Sequence, residues 1–437
     1  MSRQVAGLLV CLGGTMLMAS QAQAYSVLDS DSPWMLGDWG GERTALEEKG
    51  ISFTLGYVSE SAWNAAGGYN HDRTARYSDQ WTLGTTLDLD RLFSIPNATF
   101  QFSLTDRNGR DITRDRVVDP RSGALSSTQE VWGRGQTTRI TQLWYQQSYF
   151  DDTLDIKLGR IPVGGDFASI DSQFQNLALG SGQPGNWAGG IWYNWPVSQW
   201  AGRVRLNMTP EWYAQVGVFN QNPSNLEVSN ALDLKHSGTT GTLVPVELGW
   251  TPRLGTQQLP GKYAIGGYYS SAPADAVYLE NGNGDPRQES RRYGAYFVAQ
   301  QQVTARDGDV HRGMTLTFQG IYNDHQTANV DRYLSAAMSY VGPFDARPKD
   351  DMGVGLAWVH VNDDVTRSQR RNNNGQAFGS VLYSPVQGSE YDMEVYYGFH
   401  MSPWLTLRPN IQYMVHPGGV TDVDNALVGG LKVQATL

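Results

Sequence analysis

Between Met401 and Gly419 the chain reads MSPWLTLRPNIQYMVHPGG, in which Leu405, Leu407, Pro409, Ile411, Tyr413 and Val415 alternate with Thr406, Arg408, Asn410 and Gln412. A two-residue period of this kind predicts a strand with two unlike faces. The pattern recurs at Ser52–Glu60, Asp79–Asp90, Ala98–Asp106, Arg139–Tyr149, Leu154–Arg160, Ala201–Met208, Trp212–Asn220, Leu243–Thr251, Lys262–Ser270, Tyr293–Thr304, Gly313–Tyr322, Arg332–Val341, Asp351–Val361, Glu390–His400, Trp404–Val415 and Leu427–Leu437. That makes sixteen strands, an even number.

Long and short connections mostly alternate. A long link follows the first strand; then come the short Arg91–Asn97, the long Arg107–Thr138, the short Phe150–Thr153, the longest, Ile161–Trp200, and the turn Thr209–Glu211. Short turns gathered at one end predict an all-β, up-and-down antiparallel barrel of about 16 strands in an outer membrane. A soluble sandwich has no reason for that asymmetry. A barrel this wide cannot be filled by side chains. Its apolar set, which includes Phe53, Leu55, Phe100, Phe102, Val246, Leu248, Leu316, Phe318, Met393 and Val395, is therefore expected to face lipid. The opposite set, which includes Gln101, Ser103, Lys157, Arg203, Arg205, Glu247, Gln319, Asp392, Glu394 and Lys432, is expected to face water. Closure pairs every strand edge, as hydrocarbon requires. Trp81, Tyr149, Trp212, Trp250, Tyr322 and Trp404 suit interfacial girdles. Strands ten (Tyr293–Thr304) and thirteen (Asp351–Val361) choose no face.

Composition narrows the class. With 40% hydrophobic residues, 17% charged and a net charge of −10, the chain is too polar for a bundle of spanning helices. Beyond the N-terminus it has no apolar run of the roughly 18 residues that a membrane helix needs. The acidic balance, without a basic block, argues against a nucleic-acid partner. Residues 1–24, MSRQVAGLLVCLGGTMLMASQAQA, read as a signal peptide cleaved before Tyr25. Cys11, the single cysteine, falls inside it; lipidation there is disfavoured because Val10 occupies the place of a small residue. Residues 25–50 read as an N-terminal periplasmic segment with a short helix at ERTALEEKG, and residues 51–437 as the transmembrane barrel, with long loops at 107–138 and 161–200.

Three stretches resemble the carbohydrate-selective porins of the OprB family. They are LGDWGGERTALEEKGISFTLGY, KLGRIPVGGDFA through GGIWYNWPVSQWAGRVR, and SPWLTLRPNIQYMVHPGG, running from about Leu36 to the last strand in family order. The resemblance implies a sixteen-stranded barrel with an arginine-lined eyelet. It also implies a cysteine pair in the long loop near IDSQFQNLALGSG, but Asp171, Ser172 and Ser181 stand there instead, so hydrogen bonds and packing must hold that loop. Leu437 stands where such barrels usually present a Phe.

A sugar pore needs donors and acceptors for hydroxyls and rings for C–H faces, with binding weak enough to release. The long loop carries Trp187, Trp192, Tyr193, Trp195 and Trp200 beside Gly189 and Gly190. A loop of such length is usually functional or disordered, and this one is expected to fold into the lumen. Trp195 is the first stacking candidate, with Trp192 beside it; girdle or loop packing is the alternative role. In DRNGRDITRDR, Arg107, Arg110, Arg114 and Arg116 are interleaved with Asp106, Asp111 and Asp115, a pattern that can form a ladder of fixed donors and acceptors. The resemblance favours Arg107 and Arg110, nearest the third strand. Arg203, Arg205, Glu394 and Arg408 are assigned to the lumen by parity, and Arg160 only if its strand ends before it.

No HExxH pair, GxSxG elbow or Walker loop occurs. ENGNGDPR (Glu280–Arg287) misses the spacing of a helix–loop–helix calcium site. The expectation is a non-enzymatic outer-membrane pore of a Gram-negative bacterium, without cofactor or metal. It would pass monosaccharides such as glucose, have outer-membrane lipid as a partner, and leave homo-oligomer formation open. The alternatives are a general or anion-preferring pore and, further off, a barrel enzyme or an adhesin.

Overall fold

The computed structural model describes residues 24–280, 285–377 and 379–437. The signal peptide, apart from Ala24, and the centre of the Glu280–Arg287 turn lie outside the described residues.

Sixteen strands form the wall: β1 (Ile51–Ala66), β2 (Ala75–Asp88), β3 (Ala98–Gly109), β4 (Thr138–Tyr149), β5 (Leu154–Ile161), β6 (Gln199–Asn207), β7 (Trp212–Gln221), β8 (Gly241–Trp250), β9 (Leu259–Ser270), β10 (Arg292–Gln302), β11 (Gly313–Asn323), β12 (Val330–Val341), β13 (Asp351–Val361), β14 (Ser389–Ser402), β15 (Leu405–Val415) and β16 (Ala426–Thr436). Each pairs antiparallel with its chain neighbours, and β1 pairs with β16 from Gly56↔Thr436 to Ala66↔Leu427, which closes the cylinder. No helix among the described residues is long and apolar enough to cross a membrane; the crossing is made by strands.

The first connection is short, not long. β1 and β2 stay paired up to Trp63↔Ala75, past the point where Ser59, Ser61 and Asp79 interrupt the apolar alternation. Backbone hydrogen bonds continue a ladder where the hydrophobic pattern has stopped.

The two faces separate by parity as the alternation predicts. Ile411 is 61% exposed and Val395 56%, whereas Gln412, Glu394 and Lys432 are buried inside. β10 and β13 resolve as well. Arg292, Tyr296 and Val298 point inward on β10, and Asp351, Gly353, Gly355, Ala357 and Val359 do so on β13. Their registers were ambiguous because part of the lumen is dry. Phe174, Leu179, Trp187 and Trp192 of segment 162–198 pack there against Tyr296, Val298, Ala357 and Val359, so both faces of these strands are apolar. At Gly355 a Cβ would stand 2.8 Å from Leu179 Cδ1, so a larger residue there would displace the Leu179 side chain.

The helix Glu42–Glu48 is fastened to the rim at the foot of the closing seam. Arg43 donates to the carbonyls of Leu437 (2.6 Å) and Phe53 (3.1 Å), with its guanidinium over Trp34.

Candidate functional site: a constriction built from two infolded loops

Segments 110–137 and 162–198 both enter the barrel, and without a disulfide the wall holds them through side chains. Glu394 on β14 accepts from the backbone N–H of Gln175 (2.9 Å) and Asn176 (2.6 Å). Glu247 on β8 accepts from Ala168 N–H at 2.8 Å, and Glu60 on β1 from Val131 N–H at 2.9 Å. Tyr333 donates to the Ala178 carbonyl (2.5 Å) and Arg292 to that of Gly189 (2.7 Å). Within the second segment, Ser181 Oγ accepts from Ile170 N–H (2.9 Å) and Ser172 Oγ donates to the Leu179 carbonyl (2.8 Å). Buried loop backbone needs such partners, because an unpaired amide in a closed interior costs several kcal/mol.

The loops leave a cavity of about 780 Å³ against β3–β5, lined by Arg107, Arg114, Glu130, Trp132, Arg134, Gln142, Trp144, Lys157, Asp166 and Trp195. Gln80 joins two of these: its Oε1 accepts from Arg107 Nε at 2.8 Å and from Trp195 Nε1 at 3.0 Å. Arg114 stacks on Trp132 at 4.7 Å. Arg134 donates to the Gly185 carbonyl at 3.1 Å, which ties one loop to the other, and burial pulls its pKa below the ordinary arginine value. Deeper, Lys157 lies over the Trp144 ring at 4.6 Å and pairs with Asp166 at 2.7 Å. Arg203 reaches Asp166 at 3.6 Å and forms an ion pair with Asp155.

The residues singled out in the sequence are distributed unevenly. Arg107 and Trp195 line the cavity together. Arg203, Arg205, Glu394 and Arg408 are on the inner face, but Glu394 is taken up by the loop backbone. Arg408 pairs with Asp351 at 2.9 Å in a second cavity of about 510 Å³. Arg205 covers the Tyr213 ring at 3.6 Å. Trp192 is fully buried against Phe167, Tyr268 and Tyr296, and so serves packing. Arg110 does not line the cavity; it is two-thirds exposed and pairs with Asp115 at 2.8 Å. Arg110 has the opposite parity to the inward Arg107, and Gly109 before it adopts φ +99°, where a Cβ would strike the Tyr77 carbonyl. Arg160 keeps its outward parity because β5 runs on to Ile161, and its guanidinium donates to the carbonyls of Ser198 (2.8 Å) and Asp233 (3.2 Å).

Of the charge ladder expected of DRNGRDITRDR only the Arg110–Asp115 pair forms. Asp115 goes to Arg76 and Arg110, and Asp106 to Thr138 and Asn108. Asp111 accepts from Thr113 N–H at 3.0 Å, and burial pushes its carboxyl up to about 6. Sequence reasoning missed Glu130, Trp132, Arg134 and Trp144. The readable signal for Arg134 was its place in GRG, where both glycines adopt positive φ.

A closed wall, apolar outside and polar inside, narrowed by infolded loops to a charged and aromatic cavity, defines a porin. A family model described as carbohydrate-selective porin, OprB family, matches residues 72–437, and the chain belongs to that family. It is 52% identical to Porin B of Pseudomonas aeruginosa over 432 residues, covering 96% of this chain and 95% of that protein. It is 38% identical to the Putative porin QuiX of Acinetobacter baylyi, with 97% of each covered. The high-pH structure of Pseudomonas putida OprB superposes with a TM-score of 0.92 at 51% identity, covering 94% of this chain and 100% of that one. Family and fold identify a channel of the Gram-negative outer membrane and point away from enzymatic activity.

Proposed function

We propose that the chain mediates passive diffusion of neutral monosaccharides of the glucose type, with the 780 Å³ cavity as its selective constriction. The observation that carries this reading is the shared Gln80 oxygen. It holds a guanidinium and an indole side by side on one wall, offering donors to sugar hydroxyls and a ring to a C–H face. Glu130 and Asp166 in the same lining supply acceptors and offset the cations. Arg107 and Trp195 are the primary contacts in this reading; Arg110, Trp192 and Arg160 drop out of the contact set, and Arg203, Arg205 and Arg408 shape the path below. Outer-membrane lipid is the partner of the apolar exterior, and self-association is left to a mass measurement in detergent.

A second reading, an anion-preferring pore, draws on the three guanidiniums of Arg107, Arg114 and Arg134 in that lining. Liposome swelling with glucose, sucrose and an anionic solute of similar size separates the two, since equal entry of all three removes selectivity. In planar bilayers Trp195→Ala should weaken glucose block of the ion current about threefold to tenfold, in line with the roughly 0.5–1.5 kcal/mol of an aromatic contact. Unchanged block would reject Trp195 as a sugar contact.

A further inference from the structure

Lys432 lies on β16, outside the cavity lining, with its side chain 6% exposed. Its ammonium meets three acceptors on three separate parts of the chain. These are Glu60 Oε1 of β1 at 3.3 Å, Glu130 Oε2 of segment 110–137 at 3.3 Å, and the Phe174 carbonyl of segment 162–198 at 3.1 Å. Two of these contacts are hydrogen bonds, to Glu130 and to the Phe174 carbonyl, and the third, to Glu60, is an ion pair, so the group is held from three directions. Two further bonds converge here. Glu60 Oε2 accepts from Val131 N–H at 2.9 Å, and Glu130 N–H donates to the Gln175 carbonyl at 3.0 Å. Glu130, by contrast, is a third exposed and presents its carboxylate to the cavity that holds Arg107 and Arg134.

We propose that Lys432 is the positioning residue that fixes Glu130, and with it the spacing of the two infolded loops, so that sugar selectivity and ion preference depend on a side chain that solute does not touch. The proposal rests on the sugar-conducting reading of the cavity. Without the ammonium, Glu130 would swing free and two carboxylates would lose their cation. A purely structural Lys432 would only neutralise Glu60.

The test compares folded, bilayer-inserted variants, with folding read from heat-modifiable mobility in SDS gels. Lys432→Met should weaken glucose block about tenfold and move the reversal potential in a KCl gradient toward cations; Lys432→Arg should stay near wild type. The paired variant Glu60→Gln/Lys432→Met removes the buried charge conflict and keeps the wall neutral, yet should show the same weakened block. In a cycle with Glu130→Gln, the double variant should block no worse than Glu130→Gln alone, because the lysine acts through that carboxylate. Wild-type block in either folded Lys432→Met variant, or effects that simply add in the cycle, would overturn the proposal. Should wild type itself show no glucose block, the sugar reading fails, and the reversal potential then decides the positioning role: a shift in the paired variant supports it and no shift rejects it.

Discussion

Glu394→Gln tests whether wall carboxylates, in place of a covalent staple, hold the constriction. Both carboxylate oxygens receive loop N–H groups, Gln175 N–H at 2.9 and 3.0 Å and Asn176 N–H at 2.6 Å, in a site where Glu394 is 1% exposed. Hydrogen bonds to charged groups contribute about 1.5–3 kcal/mol each. Glutamine keeps one acceptor oxygen, turns the other into a donor facing a donor, and removes the charge, so the expected loss is about 3 kcal/mol for the anchored loop. At about 1.4 kcal/mol per factor of ten, the ratio of displaced to seated loop should rise roughly a hundredfold. Single-channel recording in planar bilayers should show new current flicker and weaker glucose block, while the folded band in unheated SDS gels persists, because the barrel ladder is untouched. A quiet current with wild-type block would refute the idea that this carboxylate seats the loop and return Glu394 to the solute-facing role that parity alone suggests.

Other perturbations probe separate parts of the architecture. Asp111 has a folded pKa of about 6 against an ordinary 3.8 because of burial. Its contribution therefore favours the fold below pH 3.8 and is lost as pH rises through about 6. Asp111→Asn should raise the unfolding temperature at pH 7.5, by at most about 3 kcal/mol in stability, and leave it unchanged at pH 3; a rise at both pH values would contradict the burial argument. Arg160→Ala should lower thermal stability by about 2–4 kcal/mol through orphaned carbonyls and leave glucose block intact. Lost block in the folded variant would put Arg160 back in the pore. Gly355→Val should overpack the dry side of the lumen against Leu179 and cost about 1–3 kcal/mol, and an unaltered unfolding midpoint would mean that the loop does not sit there.

Most of the wall was legible in the residues. Period-two alternation from Phe53 to Lys432, with too many strands for a filled interior, suffices to turn the apolar set toward lipid, because no other arrangement satisfies both the hydrophobic residues and the backbone. The third and fourteenth strands read correctly down to Gln101 and Glu394. The same logic failed where a strand faces protein on its inner side. β13 carries Gly355, Ala357 and Val359 toward Leu179 and Phe174, so its alternation is erased by a loop distant in the chain.

The cavity lining was legible only in part. Arg107 was favoured by the family resemblance and Trp195 by its place in a long aromatic loop. Arg110, three residues from Arg107, has the opposite parity and pairs with Asp115 away from the cavity. Arg134, Glu130 and Trp144 needed the loops in place before they could meet. Sequence by itself determined that this chain closes a polar lumen inside an apolar wall, because alternation is a local consequence of backbone geometry acting between two solvents. Which side chains meet in the lumen was decided by tertiary structure alone: buried carboxylates, amides and one lysine of the wall capture loop backbone far away in the chain, and such pairings leave no period to read.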